Sequence, residues 1–211
     1  MSRSIFSTIA SLFAASDEQA MWRVQMQDDA EAFAELMRRW ERPIQNLCTR
    51  MTGDRHRGED LAQEAFLRIY TRRKDYEPSS KFSTYLWRVA LNVCYDELRR
   101  LKRRRESPLD QVDSLDAMDE LPDGSPASST RIEAEERATE VRAALQQLAE
   151  PYRAVVVMRH YEDLKFLEIA EVLAIPEGTV KSRMAEAMTQ LSKILRTAAI
   201  AENKSNERLL L

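Results

Sequence analysis

Lys181, Ser182 and Arg183 stand directly after Gly178-Thr179-Val180, and their side chains suit contact with a nucleic acid. The ammonium and guanidinium groups can bind phosphates or the N7 and O6 of guanine, and the hydroxyl can bind either. Glu186, one turn later, can accept from the N4 of cytosine. These residues open a periodic segment with Val180, Met184, Ala187, Leu191, Ile194 and Leu195. A shorter one with Phe166, Ile169, Ala170 and Leu173 precedes it. The break at 174–178 predicts a helix-turn-helix, with a tight turn at Gly178 and Thr179 capping the second helix. That second helix would present its first residues to the major groove. An ordinary αα-hairpin in a bundle fits the same spacing.

A second group lies near Lys81, Phe82, Tyr85, Trp87, Arg88 and Asn92, and ends in six basic residues out of seven at 99–105, among them Arg99, Arg100 and Lys102. Aromatic rings stack on unpaired bases while cations hold the backbone, so this composition suits single-stranded DNA. The competing reading is a core helix with Tyr85 and Trp87 half-buried and a solvated basic end. A third group, Glu59-Asp60-Leu61-Ala62-Gln63-Glu64-Ala65-Phe66-Leu67, mixes acids, an amide and apolar residues on one helix. That suits docking on a basic helical partner, and equally an ordinary solvated face.

No catalytic set assembles from the remaining chemistry. His56 and His160 are isolated, and no glycine-rich phosphate loop occurs. Cys48 and Cys94 fall on apolar stripes as small core residues, which fits a reducing compartment. Neither a metal nor a cofactor is expected, and the chain does not read as an enzyme.

These groups need helices to position them. Gly and Pro together make up 11 of 211 residues, about 5% where roughly 12% is average. The expected fold is therefore all-α. One stripe runs through Ala30, Phe33, Met37, Trp40, Ile44, Leu47 and Met51, broken or kinked at Pro43, and ends at Thr52-Gly53-Asp54. The next runs through Leu61, Ala62, Ala65, Phe66, Ile69 and Tyr70. A third starts near Ser83. Further helices are expected through Ala134–Leu148 and from Pro151, which suits a first turn, to Tyr161. Val155-Val156-Val157 inside the latter resembles a strand but is flanked by helix. The apolar residues Ile5, Phe6, Ile9, Leu12 and Phe13 suggest an amphipathic helix or a leader rather than a signal sequence. No apolar run reaches the roughly 18–20 residues of a membrane span.

The net charge of −3 argues against DNA binding until it is divided. Residues 1–105 carry 20 basic and 15 acidic side chains, 106–136 carry 1 and 10, and 137–211 carry 11 and 10. The expected organisation is a leader at 1–20, a helical domain at 21–105, a flexible acidic linker at 106–130, a second helical domain at 131–200 and a tail at 201–211. The linker has no sustained period, although Leu109, Val112, Leu115, Met118 and Leu121 recur every three residues.

Three blocks together resemble a known family. They are Asp60-Leu61-Ala62-Gln63-Glu64-Ala65-Phe66-Leu67-Arg68-Ile69-Tyr70, then Phe82-Ser83-Thr84-Tyr85-Leu86-Trp87-Arg88-Val89-Ala90-Leu91-Asn92, then Ile169-Ala170 through Gly178-Thr179-Val180-Lys181-Ser182-Arg183. In this order and spacing the chain resembles an extracytoplasmic-function sigma factor of bacterial RNA polymerase, over roughly 28–105 and 135–196. The resemblance implies that Asp60, Leu61, Gln63, Glu64, Phe66 and Leu67 dock on core polymerase. It implies that Ser80, Lys81, Phe82, Tyr85, Trp87, Arg88, Asn92, Arg99, Arg100 and Lys102 capture and melt the −10 element, with a flipped base held near Ser79–Phe82. It further implies that Thr179, Lys181, Ser182, Arg183 and Glu186 read the −35 element. Ala185-Glu186 departs from the family's usual aromatic or His followed by Arg. The implied partners are core RNA polymerase, promoter DNA and an anti-sigma factor able to hold this otherwise cytoplasmic protein near the membrane. A stand-alone helix-turn-helix regulator is the rival, and it would bind duplex tightly without polymerase.

Overall fold

The computed structural model describes residues 16–77, 81–106 and 129–209, with side chains described at 16–77, 81–104 and 137–198. The apolar stretch before Ser16 and the periodic leucines of the acidic linker lie outside the described residues. Every regular element among those described is helical.

The order begins with α1 (Asp17–Gln27), α2 (Ala30–Thr52) and α3 (Arg55–Thr71). Their starts follow from capping chemistry. Ser16 Oγ accepts from the Gln19 amide, and Gln19 Oε1 accepts from the Ser16 amide, both at 3.2 Å, closing a capping box. Asp29 Oδ1 accepts from the Glu31 and Ala32 amides at 3.0 Å, and Asp54 Oδ1 from the Arg57 amide at 2.9 Å. α1 lies partly within the expected leader, and its Ala20, Met21 and Val24 are buried in the core. Pro43 lies inside one continuous α2, which gives up a single backbone donor there. The expected turn ends α2 at Gly53, whose φ of +79° suits glycine.

A short 3₁₀ turn (Arg73–Asp75) leads toward α4 (Phe82–Glu106). The second half holds α5 (Ser129–Gln147), α6 (Glu150–Val156), α7 (Phe166–Leu173) and α8 (Glu177–Leu209). The helix expected from Pro151 to Tyr161 is α-helical only to Val156. Val157–Tyr161 widens into a π turn, with the Glu162 amide donating to the Val157 carbonyl at 3.3 Å. Val155, Val156 and Val157 are buried, as a core helix requires. The backbone of α8 continues to Leu209, through most of the expected tail.

The two halves share a core. One apolar cluster runs from Met21, Leu36, Ile44 and Leu86 through Val155, Met158, Ile169 and Val172. A smaller cluster of Leu145, Leu148, Val156 and Ala187 holds α5, α6 and α8 together. α2 and α3 cross closely at Gly58, where a Cβ would lie 2.7 Å from the Thr49 amide nitrogen and 2.8 Å from its Cα. At Gly178 a Cβ would meet nothing within 4 Å. Gly58→Ala should therefore cost about 1–3 kcal/mol by overpacking. Gly178→Ala should be neutral or stabilise by up to about 1 kcal/mol. Denaturant unfolding of both variants measures the contrast.

Candidate polymerase and nucleic-acid interfaces

α3 divides its expected contact residues between two faces. Asp60, Gln63 and Leu67 are exposed and Glu64 half-exposed, at the i, i+3, i+4, i+7 spacing of one helix face. Leu67 is 59% exposed despite its apolar side chain, so this face offers a hydrophobic anchor among acids. Leu61 and Phe66 are buried in the core instead, where Phe66 packs edge-on against Phe33 at 6.5 Å. They support the face from behind. Arg68 donates to Glu64 Oε1 at 2.8 Å and to Asp96 Oδ2 at 3.2 Å, linking α3 to α4.

Lys81, just before α4, and Arg88, Asn92, Arg99, Arg100 and Lys102 on it are exposed, with Tyr85 half-buried. The Tyr85 ring leans on Tyr76 with centroids 5.2 Å apart. Two expected single-strand contacts are core residues. Phe82 is wholly buried beside Tyr76, and Trp87 is 4% exposed, packed edge-on against Trp40 at 5.8 Å. Both sit on the helix face that also carries Leu86, Ala90 and Cys94, so neither ring is open to a base as placed. The Phe82 amide is capped from another helix, donating to Glu18 Oε1 at 3.2 Å. Ser80 lies outside the described residues.

The cations of α4 differ in how far they are engaged. Arg100 donates to both Glu97 oxygens, at 2.7 and 2.9 Å, while Arg57 reaches Glu97 at 3.2 Å. Arg99 stands 3.5 Å from Asp96. Arg88 donates to the carbonyls of Glu171 at 2.6 Å and Val172 at 3.2 Å, and Lys81 stands 3.9 Å from Glu168. The Lys81 and Arg88 end of the surface expected to meet the −10 strand thus lies against α7 of the other half.

The helix-turn-helix is present with a different turn. Ala174, not Gly178, takes the left-handed conformation, at φ 52°, and ends α7. α8 starts at Glu177, and the Pro176 carbonyl accepts from the Thr179 and Val180 amides at 2.9 and 3.2 Å. Gly178 and Thr179 are therefore in the first turn, and Thr179 is not the cap. Lys181, Ser182 and Glu186 are exposed and Arg183 half-buried. Lys181 pairs with Glu177 at 2.7 Å, and Glu186 accepts from Gln190 at 2.8 Å. The Ser182 hydroxyl donates to the Thr179 carbonyl at 3.0 Å. Cys48 and Cys94 are buried free thiols, and hydrogen bonding to Cys48 together with burial pushes the Cys94 thiol well up.

Two family models match the segments that carry these residues. Sigma-70 region 2 matches residues 36–104, spanning α3 and nearly all of α4, and Sigma-70 region 4 matches residues 138–191, which include the helix-turn-helix. The ECF RNA polymerase sigma factor SigW of Bacillus subtilis (strain 168) is 33% identical over 172 residues, covering 80% of this chain and 91% of SigW. The chain belongs to the ECF RNA polymerase sigma factors. The RNA polymerase sigma-H factor of Pseudomonas aeruginosa is 34% identical over 186 residues, covering 85% of this chain and 93% of that protein. Two solved structures share the fold. CnrH, in complex with the cytosolic domain of CnrY, has a TM-score of 0.64 at 19% identity, over 87% of this chain and 99% of CnrH. The sigma factor RpoE of Bartonella quintana, in complex with the anti-sigma factor NepR, has a TM-score of 0.61 at 17% identity, over 79% and 98%. This protein is an alternative sigma factor, a transcription initiation factor and not a stand-alone regulator. No helix among its described residues is long and apolar enough to cross a membrane.

Two predictions follow from packing within the region 2 segment of this sigma factor. Trp87→Ala should cost about 3–5 kcal/mol, read by thermal unfolding. The Glu97 carboxyl is held below the ordinary carboxylate value, first by the hydrogen bonds from Arg100 and then by the charges of Arg100 and Arg57. A depressed carboxyl contributes its stability above its unfolded pKa, about 4.3, and loses it as pH falls through the lower folded value. Glu97→Gln should then lose less stability than the parent below about pH 4, in thermal melts run across that range.

Proposed function

We propose that this sigma factor binds core RNA polymerase through the α3 face of Asp60, Gln63, Glu64 and Leu67, and then divides promoter reading between its two halves. The domain plan is region 2 over 21–105, an acidic linker over 106–130 and region 4 over 131–200. The observation that carries this reading is that one chain joins an acidic, leucine-anchored helix face, a helix with an exposed cation row and a helix-turn-helix. The region 2 and region 4 matches fall on them in that order.

Region 4 meets the −35 duplex with Lys181, Ser182, Arg183 and Glu186. Lys181 and Arg183 supply phosphate contacts or donors to guanine, and Glu186 is an acceptor suited to cytosine N4. Region 2 meets the −10 strand with Lys81, Tyr85, Arg88 and Asn92, with Arg99, Arg100 and Lys102 along the phosphates. Tyr85 is the aromatic placed for stacking, which is worth about 1–3 kcal/mol per base. Such contacts offset the few kcal/mol needed to unstack and unpair a base. The action is non-covalent: interaction energy alone shifts the duplex toward its melted form. The linker, with its −9 balance over 106–136, suits a basic channel of the polymerase that otherwise holds nucleic acid. An anti-sigma factor is the regulatory partner, as the NepR complex suggests by analogy. The site of action is the cytoplasm.

Run-off transcription with a bacterial core enzyme, with and without this protein, tests the reading. Promoter-dependent product only with the protein present is expected, and its absence with a matched core and promoter overturns it. Lys181→Ala combined with Arg183→Ala should cut output from −35-dependent promoters about tenfold or more, since one good base contact is worth about 1–3 kcal/mol. Equal output from parent and variant would remove these residues from the −35 site.

A further inference from the structure

α1 bonds to the chain on both sides of residues 77–81. Gln25 Nε2 donates to the Tyr76 carbonyl at 2.9 Å and to the Lys74 carbonyl at 3.2 Å, where the chain leaves the 3₁₀ turn. Glu18 Oε1 accepts from the Phe82 amide at 3.2 Å, where α4 begins. That amide is one of the first-turn donors for which α4 itself has no acceptor. Glu18 and Gln25 are seven residues apart, so they share one face of α1, roughly 10 Å apart along its axis. Met21 lies on the same side between them and is wholly buried. A further link, from Arg73 Nε to Asp28 Oδ1 at 2.7 Å, lies just past the helix. Asp28 is exposed there, and an exposed pair contributes little.

The two residues gripped in this way carry interlocking rings. Tyr76, whose carbonyl Gln25 holds, is buried and meets two rings of α4, Phe82 at 6.2 Å and Tyr85 at 5.2 Å. Phe82, whose amide Glu18 holds, is wholly buried. Tyr85 is the half-buried member of the group. Its ring rests on Tyr76, and its helix starts at Phe82, so both of its supports are fixed to α1. The Sigma-70 region 2 match begins at residue 36, so α1 lies ahead of it.

We infer that α1 is a brace for −10 recognition, in which Glu18 and Gln25 are positioning residues that set the Tyr85 ring for the promoter strand. This rests on the reading of Tyr85 as the stacking ring and deepens it. A base gains most from a ring already held in place. A ring free to move must be ordered when the base arrives, and that ordering lowers affinity. Glu18 and Gln25 act through the backbone at Phe82 and Tyr76, not by contact with DNA. The brace joins α1, the 3₁₀ turn and α4, three elements that are separate in sequence.

The test uses holoenzyme made from the full chain and a bacterial core, and reads binding of a fluorescent single-stranded −10 oligonucleotide. Core affinity and the circular dichroism of the free protein are measured beside it. Glu18→Ala and Gln25→Ala should each weaken oligonucleotide binding about threefold or more, the scale of one lost hydrogen bond, with core affinity and helix content unchanged. Glu18→Gln keeps an oxygen acceptor for the Phe82 amide and should stay within about twofold of the parent. Gln25→Glu has no donor for the two carbonyls and should bind no better than Gln25→Ala. A double-mutant cycle with Tyr85→Ala shows the route: once that ring is gone, neither alanine variant should lose anything more. Parent-like binding by both alanine variants overturns the brace, and so does an equal loss with and without Tyr85. Loss of helical structure in both single variants also overturns it, because a brace confined to this site leaves the fold intact. Glu18→Gln as weak as Glu18→Ala removes Glu18 from it. A parent holoenzyme that fails to bind the oligonucleotide defeats the sigma-factor reading, whereas a binding parent with unchanged variants defeats the brace alone.

Discussion

A helix leaves backbone donors unpaired at one end and acceptors at the other, and this fold depends on where those groups find partners. Three helix starts are satisfied locally, by Ser16 with Gln19, by Asp29 and by Asp54. At the start of α4 the solution is long-range: Glu18 of α1 accepts from the Phe82 amide. The carbonyl ends of α2 and α7 are met from the opposite half of the molecule. Local caps thus define where the helices begin, and distant ones hold them to each other.

That division explains what could be read from residue order. The stripe Leu61, Ala62, Ala65, Phe66 and Ile69 is a local pattern, and all five residues are buried. The same stripe shows why two residues expected at the polymerase surface lie in the core. A motif reading takes consecutive residues, whereas a helix sorts them by face, so Leu61 and Phe66 separate from Asp60, Gln63, Glu64 and Leu67. Phe82 and Trp87 follow the same rule. Their closeness in sequence to Lys81 and Arg88 suggests stacking on bases, but their spacing to Leu86, Ala90 and Cys94 places them in the core.

Other features had no signal to find. Arg153 stands among apolar residues beside Pro151, and its contact with Met51 bridges a separation of 102 residues. Nothing near it in the chain marks that partner. The turn of the helix-turn-helix is a subtler case. Gly178 is the obvious turn residue, yet Ala174 takes the left-handed conformation, and Pro176 supplies the carbonyl that opens α8. An alanine accepts that strained backbone because the buried Ile169, Ala170 and Val172 on one side and Val180 on the other fix the crossing of the two helices.

Arg68 has a consequence of another kind. One guanidinium holds Glu64, on the face that suits polymerase, and Asp96, on the helix that suits the promoter strand. A partner that draws Glu64 away frees one arm of Arg68 and leaves Asp96 as the carboxylate that must anchor it. Solvent-exposed pairs of this type contribute about 0–1 kcal/mol, too little to hold the fold and enough to bias a side chain. One flexible side chain thus joins the charge of the α3 face to that of α4.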